Sequence, residues 1–164
     1  FRFHDHESLD CVVDNIKLLS VKVEDVQGEG QELLGAPKNR RIIVLERMSF
    51  CDNIPVAVEF VYFPYEKNKP VVEDKLNFAN YPKALETHLA FAIKRELEIR
   101  LTGAPEQVAE RLLCRTGEPV FLITKKVLKK GTREIISASK FYIKKEYYTI
   151  KAVTPEEDDS KKVF

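Results

Sequence analysis

The sequence is poor in the features that mark several specialised classes of protein. Among 164 residues there are no tryptophans, one methionine and three cysteines, and 27 basic side chains nearly balance 26 acidic ones. A formal net charge of +1 disfavours a dedicated nucleic-acid binder, since such domains usually have a strong basic excess. No run approaches the roughly 18 apolar residues that a membrane-spanning helix needs, and we expect no secretory signal.

The three cysteines are too few and too far apart for a disulfide framework or a zinc site. They lie at Cys11, Cys51 and Cys114, and no two of them form a Cys-x-x-Cys pair. We therefore predict free thiols in a reducing cytosol, which places the protein in the cytoplasm.

Motifs for nucleotide binding, esterase chemistry and metal binding are missing or incomplete. Gly28-x-Gly30 lacks the further glycine and the lysine of a phosphate-binding loop, and no Gly-x-Ser-x-Gly sequence is present. His4 and His6 would point to one side of an extended segment, beside two acids, which is chemically sufficient for a metal. Because these are ordinary surface residues near the chain end, we predict no metal site and no cofactor.

The residues that are present are typical of one globular domain. Hydrophobic residues make up 44% and charged residues 32% of the chain, a balance that supports a packed core. The chain begins with Phe1 rather than Met, so we interpret it as a fragment of a longer protein or a processed form. We expect an N-terminal arm or linker over residues 1–10, a folded domain over 11–153 and a charged tail over 154–164.

Hydrophobic periodicity predicts strands in hairpins, interrupted by helices. The strongest signal is a hairpin of residues 40–50 and 54–64 around Asp52 and Asn53, since Asx residues favour tight turns. Because βαβ alternation is missing, the pattern predicts an α+β fold with one antiparallel sheet and helices packed on it. The other expected strands lie at 11–26, 95–102, 120–128, 134–142 and 147–153, and the expected helices at 27–36, 82–93 and 105–113.

Two charged residues, Arg47 and Glu59, stand among apolar residues in this hairpin. Charged groups in apolar strands must be paired or must face a cavity, so one interpretation is a structural salt bridge or a solvent-facing pair. The other is a pocket for a small polar molecule, in which Arg47 clamps an anionic group and Glu59 accepts hydrogen bonds. The predicted helix start at 80–83 would add backbone N–H donors for the same anion.

The segment 40–64 resembles the core hairpin of UTRA domains. In that family a strand with an Arg-x-Arg motif leads into a short turn, a proline and a strand that carries a glutamate. Arg47 matches the first arginine, Ser49 stands where the second arginine would be, and Glu59 matches the acidic residue. The final hairpin lacks the family's usual acidic and arginine positions, which, with Ser49, leaves the ligand class open. Three further segments are similar to the family in order and spacing: 31–37, 102–123 and 127–148.

The resemblance covers about residues 11–153 and implies a chorismate-lyase-like fold. It also implies that the chain is the effector-binding domain of a GntR-type transcription regulator and a homodimer. Its partners would be a small anionic or polar metabolite and, through an N-terminal winged helix-turn-helix domain absent from this chain, operator DNA. The residues that we assign to the effector site are Arg47, Ser49, Glu59, Asn80, Tyr81, Lys140 and Tyr142.

Two other functions remain as alternatives. In a chorismate-lyase-like or other carboxylate-processing enzyme, Arg47 and Glu59 would orient and protonate a substrate. In a dimerisation module without a ligand, side chains would fill the pocket. We favour the regulatory domain and expect no enzymatic activity and no catalytic residues.

Overall fold

Six antiparallel strands form one sheet in the computed structural model, which describes residues 9–25, 28–35, 37, 40–65 and 93–150. In chain order the elements are β1 (Asn15–Asp25), α1 (Gly28–Leu34), β2 (Arg41–Cys51), β3 (Ile54–Pro64), β4 (Ile93–Gly103), α2 (Glu106–Leu112), β5 (Pro119–Lys129), β6 (Ile135–Lys144) and a 3₁₀ turn (Lys145–Tyr147). The order across the sheet is β1-β2-β3-β6-β5-β4. This architecture confirms the predicted α+β class.

The described elements form two halves of the sheet with one order, strand, helix, strand, strand. The first half is β1, α1, β2 and β3, and the second is β4, α2, β5 and β6. They join where β3 pairs with β6, so that β1 and β4 form the outer edges. Charged side chains line β4, as expected of an edge strand that must not pair with another chain.

The predicted hairpin is confirmed as β2 and β3, joined by a two-residue turn. Asp52 and Asn53 have φ angles of 51° and 64°, which match the type I′ turn that suits the twist of antiparallel strands. Asp and Asn tolerate this left-handed conformation better than other residues with a side chain. The register that follows places Arg47 directly opposite Glu59 and Ser49 opposite Ala57.

The two helices of the described residues pack on one face of the sheet, which we call the helix face. α1 contributes Leu33 and Leu34 to the core, and α2 contributes Val108, Ala109 and Leu112. The predicted helices at 27–36 and 105–113 are thereby confirmed. The strand residues that these helices contact include Ile42, Met48, Val58, Tyr62 and Tyr142.

The opposite face, which carries Arg47 and Glu59, is called the ion-pair face. Two apolar clusters lie on it, on either side of the pair along β2 and β3. The first contains Ile43, Leu45, Val61 and Phe63, and the second contains Leu9, Cys51, Val56, Ala57, Ile123, Phe141, Ile143 and Tyr148.

Residues 9–14, which we call the strap, lie against the end of the ion-pair face. Leu9 forms an isolated bridge with Tyr148, and Cys11 forms a disulfide with Cys51. The prediction of free thiols is therefore wrong for these two cysteines, whereas Cys114 is free. The strap brings together cysteines that are 40 residues apart, and such a long-range contact leaves no mark in their sequence spacing.

Two other predicted elements are a strand at 147–153 and a helix at 82–93. The expected strand at 147–153 is wrong at its start, where Tyr147 ends a 3₁₀ turn and Tyr148 makes only a single bridge. The expected helix at 82–93 lies outside the described residues except for Ile93, which begins β4.

Within the described parts of the chain, no helix has the length and apolar character needed to cross a membrane.

Candidate functional site

Arg47 and Glu59 form a buried ion pair on the ion-pair face. The two residues face each other across β2 and β3, and Arg47 Nη2 contacts Glu59 Oε2. Their side chains are only 6% and 4% exposed. A single charge at such a position would be strongly unfavourable, so each residue makes the burial of the other tolerable.

One nitrogen of Arg47 that takes no part in this pairing, Nε, has no hydrogen-bond acceptor among the described residues. This nitrogen is buried. Guanidinium groups never accept and have five N–H donors in a rigid fork. An unpaired buried donor costs about 1–3 kcal/mol. A ligand oxygen that accepts a hydrogen bond from Nε would remove this cost.

Buried hydroxyl groups share this face with the pair. Ser49 on β2 and Ser137 and Ser139 on β6 are all buried, while Phe141 lies opposite Glu59. A hydroxyl both donates and accepts hydrogen bonds, so the ion-pair face carries neutral groups of both kinds in addition to one guanidinium. Sequence reasoning missed the two serines of β6, although small polar residues in an apolar strand were a usable signal.

Lys140 and Tyr142 project from the other face of the sheet. They lie opposite Phe60 and Val58 of β3, and Tyr142 and Val58 belong to the core under α2. Lys140 Nζ forms an ion pair with Glu29 of α1. No single pocket on one face of the sheet can include these two residues together with the ion pair.

The tyrosines of the helix face are neutral hydrogen-bonding groups. Burial raises the pKa of Tyr142 to about 12, and the charge of Glu29 adds to the shift. Burial, followed by the charge of Glu29, also raises the pKa of Tyr62 well above its usual range. The hydroxyl of Tyr62 donates to Glu29 Oε2 at 3.4 Å. Both phenols therefore stay protonated at physiological pH.

A second buried carboxylate, Glu46, connects three elements on the helix face. It is 5% exposed and accepts a hydrogen bond from Arg111 Nε of α2 at 2.8 Å and another from Ser20 Oγ of β1 at 3.3 Å. Glu46 thus joins β1, β2 and α2. Sequence reasoning missed it, although it stands beside Arg47 in the same apolar strand.

The predicted site residues therefore fall into three groups. Arg47, Ser49 and Glu59 share the ion-pair face, whereas Lys140 and Tyr142 lie on the helix face. The remaining two, at the predicted helix start, lie outside the described residues: Asn80 and Tyr81.

Metal binding finds no support in the part of the chain that the structure describes. Three or more His, Cys, Asp or Glu side chains are nowhere grouped there so as to hold a metal ion. His4 and His6, the metal-like pair of the sequence, lie outside the described residues.

Comparison with solved structures identifies the fold. The effector-binding domain of the B. subtilis trehalose repressor matches with a TM-score of 0.73 and 15% identity over 85% of this chain and 96% of that chain. The C-terminal domain of the histidine utilization repressor from Pseudomonas syringae pv. tomato str. DC3000 has a TM-score of 0.69 and 19% identity, covering 86% and 98% of the two chains. A GntR-family transcriptional regulator from Enterococcus faecalis V583 has a TM-score of 0.71 and 18% identity, covering 85% and 100%.

These matches confirm the chorismate-lyase-like fold. No curated protein matches the sequence significantly. The model of the UTRA domain family matches residues 15–149, which is most of the chain and includes the six strands and two helices of the described residues. This chain belongs to the UTRA domain family, the ligand-sensing domains of GntR-type transcription regulators.

Proposed function

We propose that the ion-pair face binds a small polar effector beside Arg47, Ser49 and Glu59. The single observation that carries this proposal is the buried Nε of Arg47, for which the described residues supply no acceptor. Buried polar groups in folded proteins nearly always have partners, and a group without one calls for an explanation. An effector oxygen beside Nε supplies the missing acceptor.

Each of the three side chains has its own role in this proposal. Arg47 donates to the effector through Nε while Nη2 stays on Glu59. Glu59 orients the guanidinium and accepts from hydroxyl or amine groups of the effector. Ser49, which is buried on the same face, donates or accepts as the effector requires. Asn80 and Tyr81 remain predicted contributors to the same site.

The buried charges on this face favour an effector that is neutral or has one negative charge. The charges of Arg47 and Glu59 sum to zero, the hydroxyl groups of Ser49 and Ser139 add none, and Lys125, opposite Ser139, is only partly buried. A phosphate group carries nearly two negative charges at neutral pH, by analogy with phosphoserine, and burying it needs surplus positive charge. Within the predicted class of anionic or polar metabolites, we therefore propose hydroxyl-rich or monocarboxylate effectors rather than sugar phosphates.

We further propose that the domain binds its effector without converting it. An ion-paired carboxylate accepts hydrogen bonds and has no proton to donate, so Glu59 is poorly suited to act as a general acid. This pairing favours the sensor over the chorismate-lyase-like alternative.

In the intact regulator, the effector shifts the population of domain arrangements and thereby changes operator affinity. We propose that this regulator is a cytoplasmic homodimer and contacts operator DNA through a winged helix-turn-helix domain outside this chain.

A thermal-shift screen tests the effector site. The panel contains neutral sugars, sugar phosphates, amino acids, organic acids and fatty acids. A ligand at 100 times its Kd adds about 2.7 kcal/mol of stability, which corresponds to roughly 5–10 °C in Tm for a domain of this size. The double variant Arg47→Met/Glu59→Gln removes both charges of the site together and so leaves neither of them unpaired.

Arg111→Met is the matched control, because it removes an arginine from a buried carboxylate on the helix face. We expect a compound that is neutral or has one negative charge to stabilise the parent chain and the control, and to have no effect on the double variant. An equal shift in the double variant would place the effector elsewhere. A response to sugar phosphates alone would contradict the charge assignment. Conversion of the compound, monitored by NMR, would contradict binding without turnover.

A further inference from the structure

We infer that the Cys11–Cys51 disulfide is a reversible redox clasp, which fixes the strap (residues 9–14) to the end of the ion-pair face. The inference goes beyond the effector site and does not depend on it, but it rests on the cytoplasmic location proposed above.

Apart from the disulfide, the strap is held by the burial of Leu9 at one end, by partial packing of Val13, and by hydrogen bonds. Asp10 N donates to the carbonyl of Tyr147 at 2.9 Å, and Asp10 Oδ2 accepts from Thr149 Oγ1 at 2.6 Å. Asp14 Oδ2 accepts from Asp52 N at 2.7 Å. Exposed hydrogen bonds of this kind compete with water and add little net stability. The disulfide is the strap's one covalent link to β2, between the buried Leu9 and the start of β1.

The two cysteines differ in their access to solvent. Cys51 is 4% exposed and packs in the same core cluster as Leu9, Ala57 and Tyr148, whereas Cys11 is only partly buried. A small thiol can therefore reach the sulfur of Cys11 more easily than that of Cys51. This asymmetry gives thiol–disulfide exchange a defined entry point.

Reduction proceeds by two exchange steps with a low-molecular-weight thiol such as glutathione. Its thiolate attacks Cys11 Sγ, the protein disulfide breaks, and Cys51 leaves as a thiolate that takes up a proton. A second thiolate attacks the small-molecule sulfur of the mixed disulfide and releases Cys11 as a thiol. Two small thiols are thus oxidised to one small disulfide while the protein disulfide is reduced to two thiols, and the reverse sequence closes the clasp.

The clasp and the ion pair share one strand, β2, through Cys51 and Arg47. Cys51 follows Arg47 by four residues in β2, about 13 Å at the usual rise per strand residue. Its core cluster includes Ala57 and Phe141, which lie opposite Ser49 and Glu59. Opening the clasp is therefore expected to loosen the end of β2 next to these residues. In the cytoplasm proposed above, thiols are kept mostly reduced, and a disulfide there acts as a sensor of oxidation.

The test uses the full chain in buffers with graded ratios of reduced to oxidised glutathione. Free thiols are trapped by alkylation and counted by mass spectrometry. We expect one free thiol, Cys114, under oxidising conditions and three free thiols under reducing conditions. The disulfide should open at a ratio of reduced to oxidised glutathione that lies between the ratios of an oxidising and a reducing cell compartment. Reduction should lower Tm by about 5–15 °C and accelerate amide hydrogen exchange in the strap and over residues 47–52.

Two variants separate the clasp from other effects. Cys114→Ser removes the thiol that takes no part and should leave the transition unchanged. Cys11→Ser should abolish the transition and give the Tm of the reduced chain at every ratio. Three outcomes would each overturn the clasp. The chain could have three free thiols at all ratios, or excess reduced glutathione could fail to open the disulfide in the folded chain. Amide hydrogen exchange in the strap could also be unchanged after reduction.

Discussion

Arg47 is bound by Glu59 through Nη2 and has a second, buried nitrogen with no acceptor among the described residues. The same residue thus has a structural partner and an unused donor. A purely structural ion pair would be expected to satisfy its buried donors. Because a guanidinium is rigid, the bond to Glu59 also fixes the direction of Nε, and Arg47 is therefore oriented before any effector arrives.

The ion pair is expected to stabilise the fold only as a pair. Arg47→Met leaves Glu59 buried without its cation, and we expect a loss of about 3–5 kcal/mol in the free energy of unfolding. The double variant Arg47→Met/Glu59→Gln should lose much less, since no charge is left unpaired. Urea unfolding of the parent, both single variants and the double variant measures the difference. Additive losses would show that the two side chains are not coupled.

The phenol of Tyr142 predicts a response to alkaline pH. Its pKa rises from the ordinary 10.0 to about 12 in the folded protein, so folding favours the protonated form. The resulting stability is fully present below pH 10 and is lost as the pH rises towards 12. Ultraviolet titration of tyrosinate should show one late-ionising group fewer in Tyr142→Phe. If that variant instead lacks a group that ionises near the ordinary value, the burial argument fails.

At the scale of elements, the hairpin and the two short helices were predictable because local residues decide them. The Asp52–Asn53 turn accepts left-handed φ angles, and Gly35, with a φ of 58°, ends α1 as the sequence indicates. The hairpin register then follows, and with it the opposition of Arg47 and Glu59.

Features that depend on distant contacts were not predictable in the same way. The sequence places Lys140 and Tyr142 near apolar strand residues, but the face they occupy depends on the pairing of β6 with β3. A strand alternates its faces at every residue, so a shift of one position would exchange them. The disulfide depends likewise on where the strap lies. The serines of β6 and Glu46 were visible as polar residues in apolar strands, but their partners were not.

The close contact of α1 with the sheet predicts a sensitive position at Gly30. A Cβ at this position would lie 2.5 Å from Ile42 Cδ1 and 3.1 Å from the ring of Tyr62. We expect Gly30→Ala to lower the free energy of unfolding by about 1–3 kcal/mol, since overpacking outweighs the better helix propensity of alanine. Glu32→Ala, at an exposed position of the same helix, is the control in thermal unfolding. Equal or increased stability in Gly30→Ala would show that the helix can move away without cost.

At the scale of the whole molecule, two halves with one order of elements share a continuous sheet. The join between β3 and β6 runs beneath the candidate site, because Glu59 lies opposite Phe141 of the other half. Both halves thus contribute to the ion-pair face.

Phe141 tests whether the two halves act as one cooperative unit. It is 2% exposed and lies opposite Glu59 of β3 and Ile123 of β5. We expect Phe141→Ala to lose about 3–5 kcal/mol and still to unfold in one transition, seen alike by far- and near-ultraviolet circular dichroism. Phe121→Ala, at a partly buried position of β5, should lose less. Separate transitions for the two signals would show that the halves unfold independently.

The most direct test of the effector site is a crystal structure of the domain with the compound that stabilises it most. We predict that an oxygen of this compound lies within hydrogen-bond distance of Arg47 Nε, on the face that carries Ser49 and Glu59. The proposed effector site would be contradicted by a compound bound on the helix face, beside Lys140 and Tyr142, while Arg47 Nε still lacks an acceptor.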